Sequence, residues 1–383
     1  MRMKKIMILA VAAVALAACS RTFETHEVAQ AQIGFGTWAE TMTKAEARVQ
    51  GTNTFLAGDT FAVYGYKDKD DNPDPKTVFD NDVVTASGTG TLTWDYSNHR
   101  FWDTNYDKYI FYGVSPSAFG TGGTVDPQTG EISTDVTFGG DDSDILIANK
   151  TIVQKGTNSF NNFGTVEMVF NHAATLVDVI VKKAPSLDNA VVKTTAFEFE
   201  NIQSAGTLEV SAYGASDPYK PTIALANWTW DASSTDTYDT GDCVGTITLP
   251  VLAATDADFP GADNTDVPAG DVDDYNKVID NLVVMPQTFL TTGTRQLIKM
   301  TYTITTTDGS SNTSTNTYAD QILYLSDFDD VDDKAQDDGK IASWQPGKHY
   351  IFYITIDANE IKFSASINDW DSTIINGYHY LIN

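Results

Sequence analysis

The 52 carboxylates and five histidines are the first candidates for chemistry in this 383-residue sequence. Two carboxylates flanking a glycosidic bond at the right separation hydrolyse it, but so many acids make any such pair uninformative from spacing alone. His172, in Phe170-Asn171-His172, is the histidine best suited to acid–base work. No second histidine lies at metal-ligand spacing from it and no Gly-x-Ser-x-Gly elbow is present, so it reads as a histidine hydrogen-bonded near a strand bend. Cys243, in "DCVGTITLP", reads as a small buried hydrophobe rather than a nucleophile. "DKDDN" (68–72) begins like a calcium loop, but Pro73 stands where the glycine is required and Phe79 where the final glutamate is required. Trp228 and Trp230, in "NWTW", are two residues apart and share one strand face. Exposed, they would be a glycan-contact platform; buried, they would fill a core. With no nucleophile or metal constellation, the sequence reads as a non-enzyme that needs neither metal nor cofactor.

The elements that must position these residues are strands. Phe, Tyr, Val, Ile and Thr recur in short alternating runs such as "TFAVYGYK", "KYIFYGVSP", "GTLEVSAYG" and "RQLIKMTYTITTT", broken by clusters of Gly, Asn, Asp and Ser. No strand–helix–strand alternation is visible, which argues against a parallel sheet. The pattern predicts an all-β chain built as two antiparallel β-sandwiches of transthyretin or immunoglobulin type in tandem. The polar stretch "KGTNSFNNFG" (155–164) is the best break between them. It divides the chain into an N-terminal sandwich over 49–160 and a C-terminal sandwich over 161–370.

The ends of the chain bound its location. "MRMKK" followed by "IMILAVAAVALAA" has the charged and apolar regions of a secretory leader and is too short to span a bilayer comfortably. Leu16-Ala17-Ala18-Cys19 resembles a bacterial lipobox, which implies cleavage after residue 18 and diacylation of Cys19. Ser20 follows the cysteine, so the outer membrane is the expected destination, reached through lipid and not through a membrane-spanning helix. With Cys19 lipidated, Cys243 has no intrachain partner. Loss of residues 1–18 removes Arg2, Lys4 and Lys5 and no acid, taking the formal charge from −28 to −31. Such a chain is repelled by phosphate backbones, which excludes nucleic acid as a partner.

Three segments carry a resemblance: "VEMVFNHAATLVDVIVKK" (166–183), "NLVVMPQTF" (281–289) and "WQPGKHYIFYITIDANEIKFSASINDW" (344–370). Together with the lipobox they resemble the fimbrillin family, the subunits of the type V pili of Bacteroides-type bacteria. The resemblance implies a lipid-anchored precursor whose N-terminal strand is cut away by an outer-membrane arginine-specific protease, opening a groove. The C-terminal strand of another copy, or of a related pilus subunit, then fills that groove. On this implication residues 19–48 are a pro-segment. Ile33, Phe35 and Ala39 mark its removable strand, and Arg48 marks the cut. Residues 371–383 supply the donor strand, with Ile374, Tyr378, Tyr380 and Ile382 on one face. The implied product is a shaft or stalk subunit of a cell-surface fimbrium that serves adhesion. The alternative reading is a glycan-binding outer-membrane lipoprotein using Trp228 and Trp230.

Overall fold

The computed structural model describes residues 31–35, 55–89, 92–119, 121–138, 144–156, 166–187, 189–210, 213, 217–231, 235–239, 247–248, 276–329, 339–358, 361–369 and 373–374. Among them there is no α-helix, only short 3₁₀ turns between strands. The N-terminal part holds β1 (Thr60–Asp68), β2 (Lys76–Ser87), β3 (Thr93–Tyr96), β4 (Lys108–Ser115), β5 (Thr121–Val125), β6 (Ile132–Thr137), β7 (Leu146–Ala148), β8 (Thr151–Gln154) and β9 (Val169–His172). There follow β10 (Thr175–Lys183), β11 (Ala190–Gln203), β12 (Ala205–Val210), β13 (Trp228–Trp230), β14 (Thr235–Asp239) and β15 (Ile247–Thr248). The remainder are β16 (Asn276–Val284), β17 (Gln287–Thr288), β18 (Leu297–Thr307), β19 (Thr313–Tyr324), β20 (Ser343–Trp344), β21 (Lys348–Ile356), β22 (Ile361–Asp369) and β23 (Thr373–Ile374).

The largest sheet runs β23-β9-β7-β4-β1-β2-β3, with β8 also on β4. Its central strands are buried on both faces. In β1, Phe61 and Val63 enter one core while Ala62 and Tyr64 enter another; in β4, Tyr109 and Phe111 divide from Ile110, Tyr112 and Val114 in the same way. Two-sided burial makes such strands read as continuous apolar runs. The first core is enclosed by this sheet itself, because β1, β2, β3, β4, β7 and β9 all contribute to it. We call it the rolled sheet. The second core lies between the rolled sheet and a cover sheet, β13-β12-β6-β5.

The third core belongs to the C-terminal sandwich, between the sheet β16-β10-β21-β22 and the sheet β14-β11-β18-β19, on which β15 also pairs with β11. Among the described strands the antiparallel expectation holds with one exception: β10 and β21 are parallel neighbours, from Leu176↔His349 to Lys183↔Ile356. Strand pairing also crosses residue 160. β9 returns to pair with β7, and β12 with β6, so segments after the polar stretch complete the N-terminal sheets.

Trp228 and Trp230 require a correction. Their shared face is turned inward, not to solvent: Trp228 is 2% exposed in the second core, and Trp230 packs against that core with its Nε1 donating to the carbonyl of Pro286 at 2.6 Å. Pairing of β13 with β12 on the cover sheet turns Trp228 into the second core and leaves Trp230 partly buried at its margin, so the two rings do not form a paired exposed platform.

Candidate functional site

The site with the most to say about function is the seam where the rolled sheet closes. One edge of the sheet is β3, whose chain continues through residues 100–102; the other is approached through Val166 and β9. Residues 31–35 fill the gap between them. On one side, Gln32 forms an antiparallel bridge to Phe101. Ile33 N–H donates to the Arg100 carbonyl at 2.8 Å, and Trp102 N–H donates to the Ala31 carbonyl at 3.0 Å. On the other side Phe35 forms a parallel bridge to Val166, whose N–H donates to the Gly34 carbonyl at 3.0 Å. A five-residue segment thus has backbone partners on both flanks, as an interior strand does.

Its side chains are core residues. Ile33 is 0% exposed and Phe35 5%. Phe35 meets Phe61, Phe79 and Tyr96 edge-on at 5.7 Å between centroids, and Phe111 at 6.1 Å. Such edge-to-face pairs add to the area term because ring edges carry positive and ring faces negative partial charge. The Tyr96 hydroxyl donates to the Ile33 carbonyl at 2.8 Å. Burial raises the pKa of that phenol, which keeps it a proton donor. Without residues 31–35 the same wall would present four aromatic rings, the Arg100 carbonyl and the N–H groups of Trp102 and Val166.

β23 lies close by in the same sheet. Thr373 pairs with Phe170 and Ile374 with Val169, so the chain just after β22 runs along the β9 edge. The sequence-predicted residues Ile33 and Phe35 therefore meet in one core, and the backbone of Ile374 reaches the sheet that encloses it. Cys19, Ala39, Arg48, Tyr378, Tyr380 and Ile382 lie outside the described residues.

A second feature escapes sequence reading. His172 ends β9, and its Nδ1 is hydrogen-bonded to Asp144 Oδ2, with both side chains fully buried. The other carboxylate oxygen accepts the Ala174 N–H at 3.0 Å. Burial pushes the Asp144 carboxyl above its ordinary range, while His172 and the backbone N–H groups of Ala174 and Ile145 act the other way. The pair fixes the two-residue crossing, Ala173-Ala174, from the rolled sheet into β10. Gly347, at φ +68°, closes over the same crossing by donating to the Ala174 carbonyl at 2.8 Å. The histidine is positional, as its sequence context indicates, but its partner lies 28 residues away and carries no local signal. Among the described residues no group of three or more His, Cys, Asp or Glu is arranged to hold a metal ion, and no helix is long and apolar enough to cross a membrane.

Comparison with known proteins adds the family. A family model described as fimbrillin-like matches residues 43–370, a span that leaves out both the closing segment at 31–35 and β23. No curated protein sequence matches the chain. Among solved structures it is similar to a fimbrial protein from Bacteroides vulgatus, with 15% identity, a TM-score of 0.52, and coverage of 89% of this chain and 99% of that one. It is also aligned with a candidate cell adhesion protein from Bacteroides uniformis, at 16% identity, TM-score 0.43 and coverage of 89% and 99%. The tip fimbrial protein Mfa3 from Porphyromonas gingivalis, in a C-terminally truncated form, aligns at 10% identity, TM-score 0.31 and coverage of 82% and 95%. At these identities the first likeness speaks for the fold alone.

Proposed function

The chain belongs to the fimbrillin-like family, and from that premise we propose that it is a structural, non-catalytic subunit of a surface pilus that serves adhesion, assembled by strand exchange at the seam of its rolled sheet. The observation that carries this reading is the closing segment. Residues 31–35 are bonded on both flanks, Ile33 and Phe35 are buried in the first core, and the segment precedes Arg48 in the chain. A precursor anchored to the outer membrane through lipid on Cys19 would be cut after Arg48 by an arginine-specific protease. Residues 19–48 would then leave together, and Ile33, Phe35 and Ala39 with them. What remains is an apolar groove flanked by unpaired backbone groups, an edge strongly predisposed to accept a strand.

The incoming strand is assigned to residues 371–383 of a second copy or a related subunit, with Ile374, Tyr378, Tyr380 and Ile382 entering the groove. The glycan-binding alternative is the weaker reading, since burial of Trp228 leaves Trp230, partly buried and bonded to Pro286, without its neighbour on an exposed face.

The test uses soluble protein made without residues 1–19 and treated with an arginine-specific protease. A single cut after Arg48, followed by ladders on a denaturing gel loaded without boiling, is the expected outcome. The ladders persist because withdrawing a buried strand is slow, a kinetic form of stability. Deleting Tyr378–Asn383 should leave the monomer folded and abolish the ladders. Protein that resists cutting, or that is cut and stays monomeric, sinks the reading.

A further inference from the structure

The hairpin β18–β19 reaches past the core of the C-terminal sandwich. Tyr302 and Tyr318 stack across it at 4.8 Å between centroids, and beyond that pair the residues of β19 from Thr313 to Thr317 are all exposed. Asp308 shapes the connecting turn: its Oδ1 accepts the N–H groups of Ser310 and Asn312 at 2.8 and 2.9 Å. Threonines line one face of the projecting part. Thr303 faces Thr317, Thr305 faces Thr315 and Thr307 faces Thr313, and the Oγ1 atoms of Thr305 and Thr315 are 2.9 Å apart.

β19 is also the last strand of its sheet among the described residues. No described strand pairs with its outer edge, the kind of edge that proteins usually blunt with lysine, proline, a bulge or a short strand. Here the only such device lies further along. Asp320 sits at φ +50° where the register with β18 shifts, and its N–H turns inward to Thr301 Oγ1 at 3.1 Å. Thr313–Tyr318 precedes that kink as a straight six-residue edge with no lysine, proline or charge. From Met300 to Ala319 the chain has one charged residue, Asp308, in a protein of net charge −28.

We infer that Thr313–Tyr318 is a lateral interaction edge that pairs antiparallel with the same segment of a second copy. Two chains of this charge repel each other broadly, so a contact between copies is confined to a neutral stretch. The occupant must also be a strand with small polar side chains on both faces, and this segment meets its own requirement. A two-fold axis normal to the sheet at Thr315 sets Thr315 against its copy and Thr313 against Thr317 of the second copy. The ladder of threonines then continues across the axis, a cross-strand pairing that hydroxyl side chains favour. The contact is self-complementary and closes as a dimer.

Six residues a side bury less than the roughly 1,200–2,000 Å² of a stable interface. Isolated copies therefore associate weakly, whereas copies arrayed along a fibre would be held by many such contacts at once. That last consequence, the bundling of fibres side by side, rests on the pilus reading above; the pairing itself does not.

The test uses uncut protein that retains residues 31–35, so strand exchange at the seam plays no part. In chain lacking residues 1–19 and carrying Cys243→Ala, Thr315→Cys places a thiol at the axis, and Ser310→Cys places one at the equally exposed turn, far from it. At salt near 1 M, where the screening length is about 3 Å, Thr315→Cys should form disulfide dimers on oxidation at least about tenfold faster than Ser310→Cys, because pairing raises the effective thiol concentration. Adding Thr317→Lys should abolish the difference. Equal rates for the two cysteines, or a fast rate that survives the lysine, would overturn the inference.

Discussion

At the scale of single residues, Phe35 joins residues 31–35 to the first core and Asp144 braces the crossing from the rolled sheet into β10. Phe35 contacts four rings yet sits on a segment joined to the sheet by few backbone bonds, so weakening it should release the segment locally before the sheet unfolds. Phe35→Ala, a truncation that typically costs about 3–5 kcal/mol in a core, should accelerate amide exchange at Trp102 and Val166 while leaving the amides of β4 unchanged. Uniform acceleration over the rolled sheet would mean that the segment and the sheet open as one unit. Asp144→Ala strands the imidazole of His172 and the N–H of Ala174 without their acceptor. Removing one member of a buried pair costs about 3–5 kcal/mol, and urea unfolding should show a loss of that size. Asp144→Asn, which keeps an acceptor oxygen, should lose less. A loss for Asp144→Ala below about 1 kcal/mol, the range of an exposed pair, would show that the crossing into β10 is held by other contacts.

At the scale of elements, two turns depend on carboxylates. Asp126 Oδ1 accepts the N–H groups of Gln128 and Thr129 at 2.7 and 2.9 Å between β5 and β6, as Asp308 does for Ser310 and Asn312 between β18 and β19. Hydrogen bonds to the charged form hold both carboxyls below their ordinary pKa: those from the Thr129 backbone lead at Asp126, those from Asn312 at Asp308. Because the folded-state value is depressed, each contribution is complete above the ordinary value of about 3.9 and is lost as pH falls through the lower folded one. Stability measured by denaturant between about pH 5 and pH 2 should fall less steeply in an Asp126→Asn, Asp308→Asn double variant; an unchanged slope would remove these turns from the acid response. The strands themselves were legible in the sequence, because alternation and two-sided apolar runs mark β1, β4, β18 and β21 by local pattern. Their partners were not. "VEMVFNHAATLVDVIVKK" looks like one apolar stretch, but His172-Ala173-Ala174 divides it between two sheets. The parallel pairing of β10 with β21 joins segments more than 160 residues apart, and nothing local encodes it. Trp228 and Trp230 do share a face, and only the position of the cover sheet decides that the face is buried. Ile33 and Phe35 could be picked out by alternation, whereas Arg100, Trp102 and Val166, which bond the segment, carry no pattern of their own.

At the scale of the whole molecule, the net charge of −28 acts against compactness, since like charges at the surface repel at all separations inside the screening length. Raising salt from about 10 mM to about 1 M shortens that length from about 30 to about 3 Å, and the unfolding temperature should rise along the series; a flat response would show that local ion pairs already offset the repulsion. The parallel pair in the third core also has a mechanical consequence. Leu176, two residues past the crossing from the rolled sheet, lies beside His349, which lies beside Asn368 near the end of β22. The chain therefore enters this sheet and leaves it at the same end. Once β23 has been drawn off β9, a pull between the rolled sheet and the end of β22 crosses only that row of three strands, and the other sheet of the C-terminal sandwich lies outside the line of tension. Under such a load β10, β21 and β22 would peel apart one pair at a time from the His349 row, instead of resisting in shear along their whole length.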